Sequence, residues 1–437
     1  MLAAASMPHQ RGLDCRSSGR ERLHTRSRRL SREHIRGGSL VSVGTAFYER
    51  QRELNRHEVW GEWAGYLAAQ VYADFHDIEY SAIREAAAVI DTSPLYKYVV
   101  EGPDAARLLD RIFTRDVSKL QIDQVFYTPW CDEDGKVLDD GTVTRLEADV
   151  YRITSADPCY RWFLMNATTL DVGVSDVTED LAALALQGRL SREVLESATG
   201  EDWTDLRYFR HRRTSIADVD VSVTRTGYTG DRGYELWIPV AGAIAVWDRV
   251  FEAGEAFGIF PAGIRALDVA RVEAGLILID AEYTSARHAI SPEQTYSPFE
   301  IGLGRLVEFG KTAAFTGKRA LLAERAAGGP ARRLVGLELD WAGIEGMFAK
   351  HGLAPMISPF VDRSPVPVYR EGRQVGRATS ITWGTTIKKM VGLGSLDKAF
   401  EKPGSRVSVE YSVEGERGNV AATVVPLPFL DLQRKRT

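Results

Sequence analysis

The stretch RTGYTGDRGYEL, residues 225–236, holds three glycines and runs directly into apolar residues. It predicts a glycine-rich loop that leads into a strand, with Glu235 close to the strand's start. Glycine lets the backbone approach a flat ligand closely, because it has no side chain. A carboxylate at this point could accept two N–H bonds from the edge of a guanidine-like ring. A hairpin with a surface glutamate is the alternative interpretation.

A second stretch, DGKVLDDG at residues 134–141, places two adjacent carboxylates after two apolar residues. Its first Asp-Gly pair is typical of a hairpin turn, because glycine supplies the positive φ that the turn needs. Paired carboxylates either repel each other, which raises one pKa, or divide the roles of base and positioning group. Asp139 and Asp140 are therefore candidates for chemistry. A turn stabilised by aspartate is the alternative.

A third stretch, RALDVARVEAG at residues 265–275, has the apolar spacing of a helix. Helical spacing places Leu267 and Arg271 on one face of it. The alternative to a functional role is a core helix with ion pairs at its periphery.

Around these stretches, short strands alternate with helices, and several strands are joined as hairpins. This order favours an α+β fold over a doubly wound parallel sheet. Apolar positions spaced by three and four predict a helix over residues 54–71. Beyond residue 331 helical patterns almost vanish and short strands follow one another, which predicts a small C-terminal β-barrel.

The composition limits the classes of partner. The 437 residues carry a net charge of −5, yet residues 1–40 hold nine arginines and three acidic residues, so the remainder carries −11. An acidic body repels phosphates, so we expect no nucleic-acid partner. No apolar run reaches about 18 residues, so we expect no membrane partner. The three cysteines form no CxxC pair, which favours a reducing compartment and predicts no metal site.

The basic segment at residues 1–45 is expected to be a disordered extension, and we leave it out of the fold. Its arginine and serine content also suits a mitochondrial transit peptide, although its acidic residues weaken that interpretation. An RNA-binding arm is a third interpretation. We therefore expect a cytoplasmic protein, or one of the mitochondrial matrix if the segment is a transit peptide.

Taken together and in order, six segments resemble the glycine cleavage T-protein family, the folate-dependent aminomethyltransferases. The matching segments are residues 135–140, 225–235, 271–275, 297–304, 315–321 and 334–337. Any one of these motifs is weak, whereas six in the right order are a specific signal of fold. The resemblance covers roughly residues 83–429.

The resemblance implies a three-domain ring around a central folate cavity. It divides the body into a folate-binding region of two interleaved α+β lobes, residues 46–330, and a C-terminal β-barrel domain, residues 331–437. It also implies tetrahydrofolate as the cofactor, with a one-carbon unit moving from a small-molecule donor to the N5 amine.

Matched residue by residue, Asp139 corresponds to the family's catalytic aspartate and Glu235 to the glutamate that holds the pterin edge. Because the N5 amine is already nucleophilic at neutral pH, we expect Asp139 to orient the folate and to stabilise developing positive charge. Ser155 takes the place of a family asparagine that faces folate. The further cofactor-binding candidates are Arg265, Tyr127 and Tyr228. Tyr127 could instead belong to the core.

Two departures from the family concern the donor side. The family's arginine next to the helix aspartate is Leu267 here, and Arg265 stands two residues earlier. The connection at residues 281–296 is longer than usual and brings Tyr283, Arg287 and His288 to the region that borders the substrate. The last two could bind a carboxylate or exchange a proton, or they are polar loop residues.

These departures leave the donor open. One version is aminomethyl transfer within glycine cleavage, with a lipoyl carrier protein as partner. The other is demethylation of a methylated sulfonium, amine or aryl methyl ether, which the longer connection favours. A non-catalytic folate-binding accessory protein, like the relatives that assist iron–sulfur assembly, is the third interpretation. The sequence lacks the cysteine motif of those relatives and retains the aspartate pair.

Overall fold

The computed structural model describes residues 42–437, where nine α-helices and nineteen β-strands follow one another. The predicted extension at residues 1–45 lies almost wholly outside the described residues. The helices are α1 (Tyr48–Leu54), α2 (His76–Glu85), α3 (Ala105–Ile112), α4 (Tyr160–Ala167), α5 (Ser191–Thr199), α6 (Ala243–Gly254), α7 (Ile264–Glu273), α8 (Lys318–Ala326) and α9 (Trp341–Ala349). None of these helices of the described region has both the length and the apolar character that a membrane crossing needs.

The strands form three larger sheets and one hairpin. They are β1 (Trp60–Trp63), β2 (Tyr66–Ala69), β3 (Ala87–Asp91), β4 (Tyr96–Glu101), β5 (Gln124–Cys131), β6 (Val137–Glu147), β7 (Val150–Ser155), β8 (Gly173–Asp176), β9 (Leu181–Gln187), β10 (His211–Ile216), β11 (Val219–Thr224), β12 (Gly233–Pro239), β13 (Ile259–Pro261), β14 (Arg332–Leu339), β15 (Val366–Arg370), β16 (Arg373–Gly384), β17 (Lys389–Asp397), β18 (Arg406–Val413) and β19 (Glu416–Val425).

The first large sheet has the order β5-β6-β7-β4-β8 and contains the aspartate pair on β6. Residues of α3 and Phe163 of α4 pack with Trp130 and Tyr151 to form its core. Directly after the pair, a Cβ on Gly141 would lie 1.9 Å from the carbonyl oxygen of Thr154 on β7. Only glycine permits this close approach, so it fixes how β6 and β7 pack beside the pair.

The second large sheet has the order β10-β11-β12-β9-β3-β13, and only β13 joins it in parallel. The glycine-rich loop leads into β12, as the sequence predicts. Glu235 lies on β12 opposite Thr224 of β11 and Ala185 of β9. Buried side chains from α5 and α6, among them Val194 and Trp247, pack against one face of this sheet.

The C-terminal region forms a closed barrel in the strand order β14-β17-β16-β15-β18-β19. Alternating apolar residues such as Leu337, Leu339, Val368 and Val409 are buried together in its interior. Alternation of this kind is what the side-chain period of a strand produces when one face is enclosed. The predicted α+β class and the C-terminal barrel are both confirmed.

Helix α7 joins these parts through a buried arginine. Arg271 bonds Asp268 on its own helix at 2.7 Å, Glu282 after the helix at 2.7 Å, and Ser380 of barrel strand β16 at 2.8 Å. Its side chain is only 1% exposed. The ion pairs of this helix are therefore central rather than peripheral, and they tie the segment around Glu282 to the barrel.

One predicted element is wrong. Residues 54–71 form the hairpin of β1 and β2 instead of a helix. Ala64 and Gly65 both adopt positive φ, of 50° and 86°, which is the backbone of a tight hairpin turn. Trp60 and Trp63 sit on the strands rather than along one helical face. Tertiary pairing therefore outweighs the helix-like spacing here.

Candidate active site

Asp139 is completely buried, and backbone N–H groups surround its carboxylate. Oδ2 accepts hydrogen bonds from the N–H groups of Ala156 at 3.1 Å and Asp157 at 2.9 Å, and Oδ1 accepts from the N–H of Asp140 at 2.7 Å. Burial is the main reason why the pKa of Asp139 is raised, and the charge of Asp140 adds to it. Asp139 therefore holds the turn that follows β7.

Asp140, the next residue on β6, is half-buried rather than enclosed. The hydroxyl of Tyr127 donates to its Oδ2 and the hydroxyl of Tyr283 donates to its Oδ1. Burial raises the pKa of Asp140, and the two phenol hydrogen bonds oppose that rise. Because neighbouring side chains of a strand face opposite sides, only one member of the pair can face a ligand. The accessible member is Asp140.

The connection after α7 runs along β6 next to this pair. The hydroxyl of Ser285 donates to the carbonyl of Leu138 at 2.6 Å, and the N–H of Ala286 donates to the carbonyl of Val137 at 2.9 Å. These two bonds position Tyr283, two residues earlier, against Asp140. The longer connection noted in the sequence is therefore part of the site.

Arg287 and His288 bind the turn behind Asp139. Arg287 donates to the carbonyl of Pro158 at 2.9 Å and to Sγ of Cys159 at 3.3 Å. Nε2 of His288 lies 2.7 Å from Oδ2 of Asp157. Their described polar contacts are thus with the protein itself. Of the three predicted substrate residues, the structure brings only Tyr283 to Asp140.

Glu235 is half-buried, and hydroxyl groups hold its carboxylate. Thr226 donates to Oε2 through Oγ1, and Oγ1 of Thr224 lies 3.5 Å from the same oxygen. Burial raises the pKa of Glu235, while the Thr226 hydrogen bond and the charge of Arg152 oppose the rise. A carboxylate with these partners keeps acceptor capacity for a ligand.

Two of the three loop glycines lie against a buried glutamine side chain. A Cβ on Gly227 would lie 2.1 Å from Oε1 of Gln187, and a Cβ on Gly233 would lie 2.2 Å from the same atom. Gln187 is buried and donates to the carbonyls of Thr226 and Tyr234 at 3.3 and 3.4 Å. These two glycines make room for that side chain, which shapes the loop in front of Glu235.

Tyr228, on the same loop, is half-buried and donates its hydroxyl to the carbonyl of Ile277. Burial is the main cause of its raised pKa, and the charge of Asp140 contributes. Burial is also the main cause of the raised pKa of Tyr127, and the charge of Tyr228 contributes to it. The structure therefore gathers Tyr127, Tyr228 and Tyr283 around Asp140.

Two predicted cofactor residues make contacts of other kinds. Ser155 is buried and donates to the carbonyl of Asp157 at 2.7 Å, so it stabilises the turn at Asp139. Arg265 lies at the start of α7, where its guanidinium is 6.0 Å from the ring centroid of Phe360. None of its described hydrogen bonds, ion pairs or ring contacts reaches Glu235 or the aspartate pair.

The accessible members of the site share an unusual combination of properties. Each of them is half-buried, so a water-sized probe still reaches its surface, yet burial is the largest cause of each pKa shift. The residues concerned are Tyr127, Asp140, Tyr228 and Glu235. Within residues 42–437 no group of three or more His, Cys, Asp or Glu side chains is arranged to hold a metal ion.

This arrangement of lobes and barrel coincides with two known domain families. Residues 47–311 match the GCVT N-terminal domain, and residues 332–431 match the glycine cleavage T-protein C-terminal barrel domain. The chain belongs to the glycine cleavage T-protein family. Membership confirms the resemblance that the six sequence segments indicated, and it places the chain among the folate-dependent one-carbon transferases.

Individual relatives agree with this assignment. An aminomethyltransferase of Caldanaerobacter subterraneus is 33% identical over 336 residues, which is 76% of this chain and 82% of the relative. A trimethylamine-oxide aldolase of Ruegeria pomeroyi is 35% identical over 409 residues, which is 90% of this chain but 47% of the relative. The crystal structure of glycine cleavage system aminomethyltransferase T from Bartonella henselae superposes with a TM-score of 0.75 over 89% of this chain and 98% of that chain. At 24% identity, this similarity is evidence for the fold alone.

One candidate site residue was not predicted from the sequence. Arg152 on β7 is 3% exposed, and its guanidinium lies 4.3 Å from the ring centroid of Trp237 on β12. Burial lowers its pKa to about 9, and the charge of Glu235 opposes that shift. An arginine inside the otherwise uncharged strand segment VYRITS, residues 150–155, was the signal that could have revealed it.

Proposed function

We propose that the chain transfers a one-carbon unit from a small donor to N5 of tetrahydrofolate. The observation that carries the proposal is Asp140, an accessible carboxylate in a deeply buried setting, whose two oxygens accept hydrogen bonds from Tyr127 and Tyr283. A structural aspartate would have its surface covered, as Asp139 has. Membership of the family supplies the reaction class.

The residues present fit a pterin ring. Glu235 keeps free acceptor capacity for ring N–H groups, and Nη2 of Arg152 is a buried donor without a partner among the described residues. Tyr127 and Tyr228 offer aromatic surface close to Asp140. We therefore expect Glu235 and Arg152 to hold the ring edge, and the tyrosines to line the space beside it.

Tetrahydrofolate, when bound, supplies a secondary amine that is nucleophilic at neutral pH and accepts the one-carbon unit. Asp140 then needs to orient that amine and to stabilise positive charge on it, because no strong base is required. Asp139 acts through Asp140 and the turn at residue 156, since its own oxygens are occupied by backbone N–H groups. We thus assign Asp140 to contact with the ligand and Asp139 to the positioning of Asp140. Variants of both residues test the prediction that Asp139 is the catalytic aspartate.

Of the two donor classes, one relative and the connection after α7 support a small methylated amine, whereas the aminomethyltransferase relatives support an aminomethyl-lipoyl carrier protein. The trimethylamine-oxide aldolase aligns with nine-tenths of this chain, and its name gives that protein a small N-methylated substrate. The connection bearing Tyr283 is fastened along β6, which places a tyrosine hydroxyl at Asp140. Demethylation of a small N-methyl compound is therefore our preferred reaction. Glycine cleavage is the second candidate, supported by the aminomethyltransferase relatives.

Calorimetry with tetrahydrofolate, followed by a donor panel, tests the proposal. The panel contains trimethylamine N-oxide, a methylated glycine, a methyl sulfonium, an aryl methyl ether and aminomethyl-lipoyl protein, and mass spectrometry follows one-carbon folates. We expect folate product with an N-methyl donor, and at least about a hundredfold less from Asp140→Asn. Product with the lipoyl protein alone would favour glycine cleavage. Binding without turnover of any donor would favour the accessory role, and no binding would contradict the proposal.

A further inference from the structure

A cleft outside the candidate active site is rich in arginine. Its volume is about 640 Å³, which is within the range of small-molecule sites. The end of β6, the residues before β5 and β10, and the start of β10 line it. No side chain that we assign to the folate or to its donor belongs to this lining. Its four arginines are Arg207, Arg210, Arg212 and Arg213.

The positive charge of this cleft contrasts with the charge of the protein around it. Outside residues 1–40 the chain carries a net charge of −11, yet the segment RYFRHRR, residues 207–213, holds four arginines and one histidine. Guanidinium groups gathered at one cleft repel one another. The free protein therefore bears an electrostatic cost that a bound anion would relieve.

Two of the four arginines have acidic partners. Arg212 pairs with Asp205, and Nη2 of Arg213 lies 3.3 Å from Oε1 of Glu147. These two pairs offset half of the positive charge that the arginines bring to the cleft.

The other two arginines have no acidic partner within residues 42–437. The side chain of Arg210 donates to the amide oxygen of Gln121 at 3.2 Å, which is a neutral acceptor. Arg207 makes no side-chain hydrogen bond or ion pair with any residue of that range. A guanidinium presents its N–H donors in a fixed fork that matches the oxygens of phosphate and carboxylate groups. The cleft thus offers two such forks to one ligand.

Backbone hydrogen bonds on both sides hold the segment that carries these arginines. The N–H of Phe209 donates to the carbonyl of Arg225 at 3.0 Å, and the N–H of Arg225 donates to the carbonyl of Arg210 at 2.8 Å. On the other side, the N–H of His211 donates to the carbonyl of Asp123 at 2.9 Å. A backbone fixed in this way loses little further freedom when a ligand binds.

His211 forms a fixed and neutral part of the lining. Its side chain is fully buried, with Nδ1 at 2.7 Å from Oδ1 of Asp123 and Nε2 at 2.8 Å from Oγ of Ser222. Burial lowers the pKa of His211, so the cations of the cleft are its arginines. Four guanidiniums face three carboxylates in the lining, and its net charge is positive.

We propose that this cleft binds a multivalent oxyanion, a ligand that carries either phosphoryl groups or adjacent carboxylates. Arg207 and Arg210 donate to its oxygens, and Arg212 and Arg213 add positive charge beside them. A multivalent anion suits the cleft better than a monovalent one, because both free forks can engage it at once. This site is additional to the proposed function and uses none of its residues.

Calorimetry and thermal melting of the full chain test this site, with pyrophosphate and citrate as probes at constant ionic strength. Pyrophosphate represents phosphoryl groups and citrate represents adjacent carboxylates. We expect at least one probe to bind and to raise the melting temperature, because it binds the folded state. Binding of pyrophosphate alone assigns the site to phosphoryl ligands, and binding of citrate alone assigns it to carboxylates. The double variant Arg207→Met with Arg210→Met should weaken that binding about tenfold or more, because two charged donors are lost.

The double variant Arg161→Met with Arg319→Met is the matched control. It removes the same charge from two exposed side chains outside the cleft, neither of which has a hydrogen bond or ion pair with the described residues. Its affinity should stay within about twofold of the wild type. The basic segment at residues 1–40 is the same in all these proteins, so its attraction for anions cancels in the comparison.

Arg207→Met alone should weaken binding about threefold or more. Its side chain bonds no described residue, so this variant keeps the test decisive should the double variant fail to fold. Equal losses in the cleft variants and in the control would show general attraction to surface arginines and overturn the site. Failure of the wild type to bind either probe would overturn it as well. None of these measurements uses folate, so the proposed function stands or falls separately.

Discussion

The hydroxyl of Tyr283 donates a hydrogen bond to Oδ1 of Asp140, across the junction between the connection after α7 and strand β6. Tyr283 is 1% exposed, so solvent cannot replace the bond when it is lost. The bond therefore serves two purposes. It fastens a long connection to the central strand, and it supports a carboxylate that burial disfavours.

Tyr283→Phe should destabilise the protein by about 1.5–3 kcal/mol, the usual worth of a buried hydrogen bond to a charged group. It should also raise the pKa of Asp140 further, because one of the two bonds that oppose the rise is gone. Urea denaturation measures the free energy. Tyr151→Phe is the control, since that buried hydroxyl has no hydrogen-bond partner among residues 42–437 and its removal should be neutral or slightly stabilising. Equal costs for the two variants would contradict a specific bond to Asp140.

The buried aspartate pair should make the protein less stable as the pH rises. The pKa values of Asp139 and Asp140 are raised in the folded chain, so the folded state holds protons that the unfolded state has released. This contribution is fully present below the ordinary aspartate pKa of about 3.9 and is lost as the pH climbs through the raised values. Asp140→Asn removes one charge and lowers the pKa of Asp139, so the loss should shrink.

Denaturation at pH 5 and pH 8 measures that difference in unfolding free energy for the wild type and Asp140→Asn. Asp134→Asn, an exposed residue of the preceding turn, should reproduce the wild-type difference. An equal decline in both proteins would show that the pair does not cause it, and a larger decline in Asp140→Asn would contradict the expected effect of removing one charge.

The effects of the two aspartates on turnover and on stability should differ when each is replaced alone. Asp140→Asn should lower turnover by about a hundredfold or more, because stabilisation of the charge on the amine is lost. Asp139→Ala should abolish turnover and keep tetrahydrofolate affinity within about tenfold, or about 1.4 kcal/mol. It should also cost about 3 kcal/mol of stability, because three backbone N–H groups lose their acceptor. Single-turnover assays and calorimetry distinguish these effects. Normal turnover in Asp140→Asn would return the ligand-facing role to Asp139.

The sequence identified the pair, and the resemblance pointed to Asp139, but the exposure of each member could not be read from the sequence. That choice depends on which side of β6 is covered, and the cover comes from Tyr283 and from a turn at residue 156, neither adjacent in sequence. Arg152 escaped for the same reason, since its partner Ser222 is 70 residues away. Short-range patterns did predict the barrel and the glycine-rich entry to β12, because alternation and turn chemistry are local. The prediction of a helix over residues 54–71 was wrong because pairing between β1 and β2 determines the backbone conformation there.

Gly227→Ala tests whether the loop before Glu235 depends on the packing of Gln187. The new Cβ would lie 2.1 Å from Oε1 of Gln187, so the amide must leave its place between the carbonyls of Thr226 and Tyr234. We expect a loss of about 1–3 kcal/mol in unfolding free energy and weaker tetrahydrofolate binding, because Thr226 also holds Glu235. Gly346→Ala in α9 is the matched control, because among the described residues nothing outside the local helix backbone lies within 4 Å of the added group, and it should stabilise by about 0.5–1 kcal/mol. A Gly227→Ala variant as stable as the wild type would mean that Gln187 can move aside without cost. The double variant Gly227→Ala with Gln187→Ala removes the clash. In that case it should bind tetrahydrofolate no better than Gln187→Ala alone.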